Sequence, residues 1–293
     1  MAASPILFDR ELLRQRLLRA LRGKPVTFLL DHVATEMVDR LSVVKRSFSV
    51  AADIGTPSGA LRKLMRDRKL AETIIGVDSL AMSGVRADEE ALPFADGSLD
   101  LVVSALSLQW VNDLPGTLAQ IRRALKPDGL FMAALLGGDT LTELRQSFAS
   151  AEAEIEGGAS PHVSPFADVR ELGALLQRAG LALPVADVDK LTVRYATPFD
   201  LMADLRGMGA TNALIERRRV PLKRATLLRM AEIYADRFSD PDRRLRATFD
   251  IVWLSGWAPH ESQQQPLRPG SAKSRLADAL RSIEQSAGEK PGR

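Results

Sequence analysis

The chain predicts an α/β fold on a mostly parallel, doubly wound sheet, with a helical region ahead of it and a helical insertion before the last strand. Three observations carry this. From Ser49 to Leu136, short β-branched or apolar runs alternate with helix-period segments, the pattern of βαβ units. The stretch VAADIGTPSGALRKLM, residues 50–65, joins an apolar run to a helix through a turn bounded by Gly55 and Gly59. Acids stand at or after the ends of the first three strand-like runs, as Asp53, Asp78 and Asp88, where an open parallel sheet binds its ligands.

Residues 1–48 read as an N-terminal helical region, in which Leu12, Leu13, Leu17, Leu18 and Leu21 make a packing face at helical spacing. Ser49–Ile54 is the first strand and Gly59–Lys69 a helix. Thr73–Val77 is a β-branched strand ending at Asp78, and a short strand near Val85 leads into Ala87-Asp88-Glu89-Glu90. Leu99–Ser104 is a buried strand, Leu114–Leu125 a helix, Lys126-Pro127-Asp128-Gly129 a turn and Leu130–Leu136 an apolar strand. Thr140–Glu156 and Ala167–Ala179 are helical, the second stopped by Gly180. Leu183–Arg194 and Thr248–Trp257 are further strands, separated by a helical insertion over about 199–245. One domain thus covers 49–262, and 263–293 is a polar, loosely held tail.

Composition narrows the function classes. The 293 residues are 45% hydrophobic and 26% charged, with no cysteine, which excludes disulfides, thiolate catalysis and Cys-ligated metal centres. Lys+Arg 40 against Asp+Glu 37 gives a net charge of only +3, without the field of a dedicated nucleic-acid binder. No apolar run reaches the roughly 20 residues of a membrane span. Two basic clusters, Arg14–Arg22 and Arg217–Arg224, read as solvated helix faces or as a docking surface for a partner. Asp9 and Glu11 within the Arg-rich N-terminal segment argue against a transit peptide, so the expected location is the cytoplasm.

Four features fall in the order of a class I S-adenosylmethionine (SAM) site. Gly55 and Gly59 let the backbone approach a ligand closely, with Asp53 reaching toward its amino group. Asp78 ends the second strand about 25 residues on, near the spacing of a ribose-binding acid. Asp88 follows the third strand, placed for an adenine amino group. Ser104 and the segment through Trp110 follow the fourth strand, where a substrate would meet the cofactor. SAM carries no pyrophosphate, so the missing central glycine of a G-x-G-x-x-G turn counts against a dinucleotide.

The segments ADEEALPF, LDLVVSALSLQWVNDLP, LKPDGLF and GGDTLTELR, with GGASPHVSPF, Asp204–Gly209 and GWAPHESQQQP, resemble the mitochondrial complex I assembly factor 5 family and its bacterial relatives. The resemblance runs from Phe8-Asp9-Arg10 to about Ala272. It implies a SAM-methyltransferase-like fold acting in assembly of NADH:ubiquinone oxidoreductase, with a complex I subunit as protein substrate. The mitochondrial relative is an arginine hydroxylase, bacterial relatives are described as methyltransferases, and a more distant likeness is to malonyl-carrier-protein methyltransferases. In this family the first loop runs Asp-Leu-Gly-Cys-Gly-x-Gly, and Pro57 stands here where the middle glycine would. Proline removes a donor and fixes φ, so the loop is either weakened for SAM or a tolerated variant.

Histidine is the usual proton carrier near neutrality, which makes His162, in SPHVSPF, and His260, beside Trp257 and Glu261, the tentative catalytic residues. No histidine–carboxylate triad appears at metal-binding spacing, so no metal is expected. Glu89, Glu90 and Asp113 are acids able to pair with a guanidinium. Three readings stay open: a SAM-dependent methyltransferase, a protein-arginine hydroxylase on the same fold, and a non-catalytic assembly factor.

Overall fold

The computed structural model describes residues 6–80 and 84–264. The tail beyond 264 and the first five residues of the expected helical region lie outside them. Two helices come first, α1 (Arg10–Arg22) and α2 (Phe28–Ser42). The sheet follows as β1 (Phe48–Ile54), β2 (Ala71–Asp78), β3 (Val85–Arg86), β4 (Leu99–Ala105) and β5 (Leu125–Leu136), with α3 (Ala60–Asp67) and α4 (Leu114–Ala124) as crossovers. Then come α5 (Thr142–Glu156), α6 (Val169–Arg178), β6 (Ala182–Tyr195), α7 (Pro198–Gly207), α8 (Arg224–Phe238) and β7 (Leu245–Trp257).

The seven strands lie in the order β3-β2-β1-β4-β5-β7-β6. All pairs up to β4–β5 are parallel, and β7 runs antiparallel between β5 and β6. The first crossovers leave β1 to one side and the next return to its other side. This opens a crevice at the carboxyl ends of β1 and β4.

Both faces of the sheet are covered, so its central strands are apolar throughout rather than alternating. Leu101, Val103, Met132, Ala134, Phe249 and Ile251 face a layer made by α2, α5 and α8. Their sequence neighbours Val102, Phe131, Ala133, Val252 and Leu254 face α4 and α6 through Leu118, Ile121, Leu172 and Leu176. The period-2 pleat sends consecutive residues to opposite cores.

One element departs from the sequence reading. Lys126–Gly129 is not a separate turn but lies inside β5, where the register with β4 jumps from Leu99↔Leu125 to Leu101↔Leu130. Asp128 takes a positive φ of 65° there. Backbone bonds from Asp128 N–H to Ala258 O and from Ala258 N–H to Gly129 O carry the chain through the irregularity. A Lys-Pro-Asp-Gly string signals a turn locally; long-range pairing on both sides holds it as a bulge within the strand.

Candidate active site

Gly55 ends β1 with φ +71°, and a Cβ built on it would lie 2.1 Å from Ser107 Oγ and 2.9 Å from the Glu89 side chain. The dihedral strains any other residue, and a Cβ there would force Ser107 or Glu89 to shift. Gly59, by contrast, has φ −77° as the residue before α3, and a Cβ there would meet only Arg62 Nη2 at 3.7 Å. In the turn from 55 to 59 only Gly55 has a positive φ, with Pro57 at its own fixed negative φ.

The turn is fastened from beneath. Thr56 donates its hydroxyl to Asp53 Oδ1 and accepts the Ala105 N–H of β4 at 3.1 Å. Ser104 Oγ donates to Ile54 O at 2.7 Å, stapling β4 to β1. Arg62, the buried charge of α3, meets Asp53 Oδ2 at 3.0 Å, with both side chains almost wholly buried. Burial pushes the Asp53 carboxyl up to about 7, with Thr56 and Arg62 opposing it. Asp53 and Ser104, both expected at the cofactor, are thus engaged inside the protein: one with Arg62, the other with the β1 backbone.

Above the turn lies a cleft with two lobes. The first, of about 130 Å³, is lined by Gly55, Pro57, Ser58, Ser79, Ser107 and Glu89 at its polar end. Its roof is α1, through Arg10, Leu13, Arg14 and Leu17. The Phe8-Asp9-Arg10 run explains how the helix gets there. Phe8 packs edge-on against Trp110 with ring centroids 5.4 Å apart. Asp9 caps α1 by accepting the Leu12 N–H and pairs with Arg217 at 3.1 Å. Arg10 reaches down to Glu89, to Asp88 at 2.9 Å and to Glu90 at 3.4 Å, and Arg14 joins at Asp88.

Of the acids expected at the cofactor, Asp78 ends β2 beside the cleft residue Ser79 and accepts the Leu80 N–H at 2.8 Å. Asp88 is held by Arg10 and Arg14 on its two oxygens. Glu89 is buried at the lobe wall; burial raises its carboxyl above the ordinary range while Arg10 pulls it back. Glu89 and Glu90 do grip a guanidinium, but it is the chain's own Arg10. Asp113 instead caps α4 by accepting the Gly116 N–H.

The second lobe, of about 170 Å³, continues from the first past Trp110, Phe166, Leu141, Leu205 and Ala210, which line both. His162 lies on its wall. The imidazole stacks on Phe148, centroids 3.9 Å apart and planes within 10°. Its Nε2 meets Glu152 Oε1 at 2.9 Å. Glu152, buried on α5, also accepts Ser160 N–H and Ser160 Oγ–H and lies 3.5 Å from Arg218. Burial alone would raise its carboxyl, but the bonds from His162 and Ser160 outweigh it and hold the value below 4.5.

A depressed folded-state value stabilises the fold above the unfolded value, and the gain vanishes as pH falls through the folded one. The loop from 157 to 166 should therefore keep its amide protection above pH 4.5 and lose it ahead of the sheet on acidification below that value, read by hydrogen exchange. Equal loss of loop and sheet protection would contradict this role for Glu152.

His260, the other tentative catalytic residue, is exposed in a separate compact unit that begins at that residue. Its Nδ1 lies 2.7 Å from Ser262 Oγ. Arg10, Arg14 and Glu152 were not legible as site residues. The arginines lie some eighty residues from the acids they grip, and Glu152 sits mid-helix with no local signal.

A glycine cradle at the carboxyl end of β1, with acids after β2 and β3, defines the class I SAM-methyltransferase architecture. Residues 52–133 match the family model described as a methyltransferase domain. Among solved structures, the YcgJ protein of Bacillus subtilis shares this fold with a TM-score of 0.52 at 15% identity, covering 78% of this chain and 99% of that one. Among curated proteins, the mitochondrial arginine-hydroxylase NDUFAF5 of Rattus norvegicus is 42% identical over 94% of this chain and 84% of its own length. A malonyl-[acyl-carrier protein] O-methyltransferase of Xylella fastidiosa is 33% identical over 86% of this chain and 89% of its own. The chain belongs to the assembly factor 5 (NDUFAF5) family, as its SPHVSPF and GWAPHESQQQP segments and the stretch around Gly207 implied.

Proposed function

We propose that this chain is a SAM-using enzyme of complex I assembly that modifies a protein substrate, a subunit of NADH:ubiquinone oxidoreductase. The observation that carries this reading is the Gly55 cradle, a left-handed backbone position at the cleft floor where any Cβ would press on Ser107 and Glu89. The first lobe offers the cofactor a backbone cradle and polar groups at Gly55, Ser58, Ser79 and Ser107, while Asp78 and Asp88 stand outside its lining and would have to be reached from it. Gly55 and Ser107 would meet its amino-acid portion and Asp78 its ribose. Asp88, with Oδ1 on Arg10 and Glu90 N–H and Oδ2 on Arg14, keeps a lone pair for the adenine amino group. When bound, SAM supplies an electrophilic methyl group on a sulfonium. The chain's own part is to orient the acceptor and exclude water, which the apolar underside of α1 and the Trp110–Phe166 pair support. The wall residue His162, steadied by Glu152, supplies a proton acceptor.

A second reading, arginine hydroxylation on the same cleft, is favoured by one observation. The mammalian relatives bearing that name match at 42–43% identity, against 32–38% for the carrier-protein methyltransferases. Mass spectra of complex I subunits from cells with and without this protein separate the two readings. An added CH₂ marks methylation and an added oxygen marks hydroxylation; subunits identical in both strains would contradict an enzymatic role.

Because Pro57 needs no positive φ, Pro57→Gly should leave SAM affinity within about threefold and lower stability by roughly 0.4–1 kcal/mol through the looser unfolded chain. Calorimetry and thermal melts check both. A large gain in affinity would show that the proline had damaged the loop.

A further inference from the structure

The two basic clusters of the sequence meet in the fold. Resting on the reading of the chain as an enzyme that modifies a protein, we propose that Arg16 and Arg19 of α1, with Arg217 and Arg219, form a docking notch. The notch takes a segment of the protein substrate that is acidic and interspersed with apolar residues.

Helical spacing divides α1 between two tasks. Arg10, Leu13, Arg14, Leu17 and Leu21 line the cleft, while Arg16 and Arg19, one turn apart, share another face. Gly209 lets the helix come close to the 209–219 segment: its φ is +73°, and a Cβ there would lie 2.8 Å from Leu17 Cα. Across this contact Arg16 Nη1 donates to Thr211 O at 3.0 Å and to Asn212 O. Burial, then the nearby charges of Arg217 and Arg19, hold the half-buried Arg16 guanidinium below its ordinary value, and Asp9 is the acid that opposes them. Asp9 is already paired with Arg217 at 3.1 Å, and Arg219 bears on it as well. Among the described residues no acid forms an ion pair with Arg16, Arg19 or Arg219. Glu11 is taken up by Arg14 at 3.6 Å, and Glu216 is exposed without an ion pair. A half-buried cation held only by carbonyl dipoles keeps its charge uncompensated. A carboxylate from outside completes it with a charge-assisted bond.

The surroundings favour a protein over other polyanions. Ile6, Leu7 and Val220 are exposed. Leu7 O accepts the Ile215 N–H at 3.0 Å and Phe8 bridges to Leu214, so residues 6–8 run alongside the strip that leads into Arg217. Val220 directly follows Arg219. Arginine beside apolar groups is the composition of a protein interface, whereas a duplex-binding face is polar and far more basic. A helix lying on lipid offers its apolar face to the bilayer, but α1 turns Leu13, Leu17 and Leu21 into the cleft. Thr211 and Asn212, whose carbonyls hold Arg16, also line the second lobe, which sets the notch at the cleft's border.

The probe is a short fluorescein-labelled peptide of alternating glutamate and leucine, followed by anisotropy at physiological salt. Saturable binding is expected, weaker for an all-glutamate peptide and absent for one of lysine and leucine. Arg19 and Arg219 are exposed and lie outside the cleft lining. The double variant Arg19→Glu/Arg219→Glu should bind the peptide roughly tenfold more weakly, each reversal removing an attraction and adding a repulsion. Its circular dichroism spectrum and SAM affinity should match the native protein's. No binding of the glutamate–leucine peptide, binding indifferent to the reversal, or tighter binding of duplex DNA or phosphatidylglycerol vesicles would overturn the proposal. Failure of the cofactor reading is distinct: it appears as native protein that takes the peptide but not SAM.

Discussion

Arg62→Leu is expected to destabilise the protein by about 3–5 kcal/mol, the cost of leaving one partner of a buried ion pair uncompensated. The guanidinium contacts Asp53 at 3.0 Å, and Asp53 has no solvent exposure. The loss should depend on pH in a definite direction. Asp53 has a folded-state value of about 7 against an ordinary 3.8, so between those values the folded state binds more protons than the unfolded one. Stability from this group therefore falls as pH rises, and removing Arg62 raises the folded value further. Denaturant unfolding at pH 6 and pH 8 should show a larger Arg62→Leu penalty at the higher pH. A penalty under about 1 kcal/mol would mean the pair does not fasten α3 to β1, since surface pairs contribute only that much.

Gly55→Ala is the second large effect. An alanine at φ +71° bears roughly 1–2 kcal/mol of backbone strain, and its Cβ would fall 2.1 Å from Ser107 Oγ. Relief requires Ser107 or Glu89 to move, and both line the first lobe. The expected result is a stability loss of about 2–3 kcal/mol together with a collapsed cofactor lobe. Gly59→Ala is the matched control: φ −77° and 3.7 Å of clearance leave it close to neutral, or slightly stabilising through the unfolded state. If the two alanines behave alike, the distinction between a cradle glycine and a helix-entry glycine is lost.

The sequence carried the sheet and its ligand-binding edge because both rest on local periodicity. The runs around Ala51, Leu101 and Phe131 are apolar without alternation, as strands covered on both faces must be. Gly55 was legible because a strand–turn–helix junction demands positive φ at one place. Gly59 looked equivalent, but which glycine of a pair is sterically required depends on neighbours such as Ser107, fifty residues away.

Asp53 and Ser104 show another limit. Acids and hydroxyls at strand ends look like ligand-binding groups, yet here they tie β1 to α3 and β4. Arg62 sits at a helix position that sequence alone assigns to solvent. Arg10 and Glu152 were invisible for the same reason: their partners Glu89 and His162 come from other elements or loops. The family resemblance marked the segments that hold these residues without saying which side chains meet.

The measurement that tests the central claim most directly is titration calorimetry of SAM into the native protein and into Gly55→Ala and Gly59→Ala. Saturable one-site binding by the native chain and by Gly59→Ala is expected, with Gly55→Ala weakened by roughly 30- to 150-fold, the equivalent of about 2–3 kcal/mol of strain and overlap felt in the bound state. Equal binding by all three proteins would place SAM away from the Gly55 cradle, and no binding by the native chain would contradict a cofactor role for the cleft.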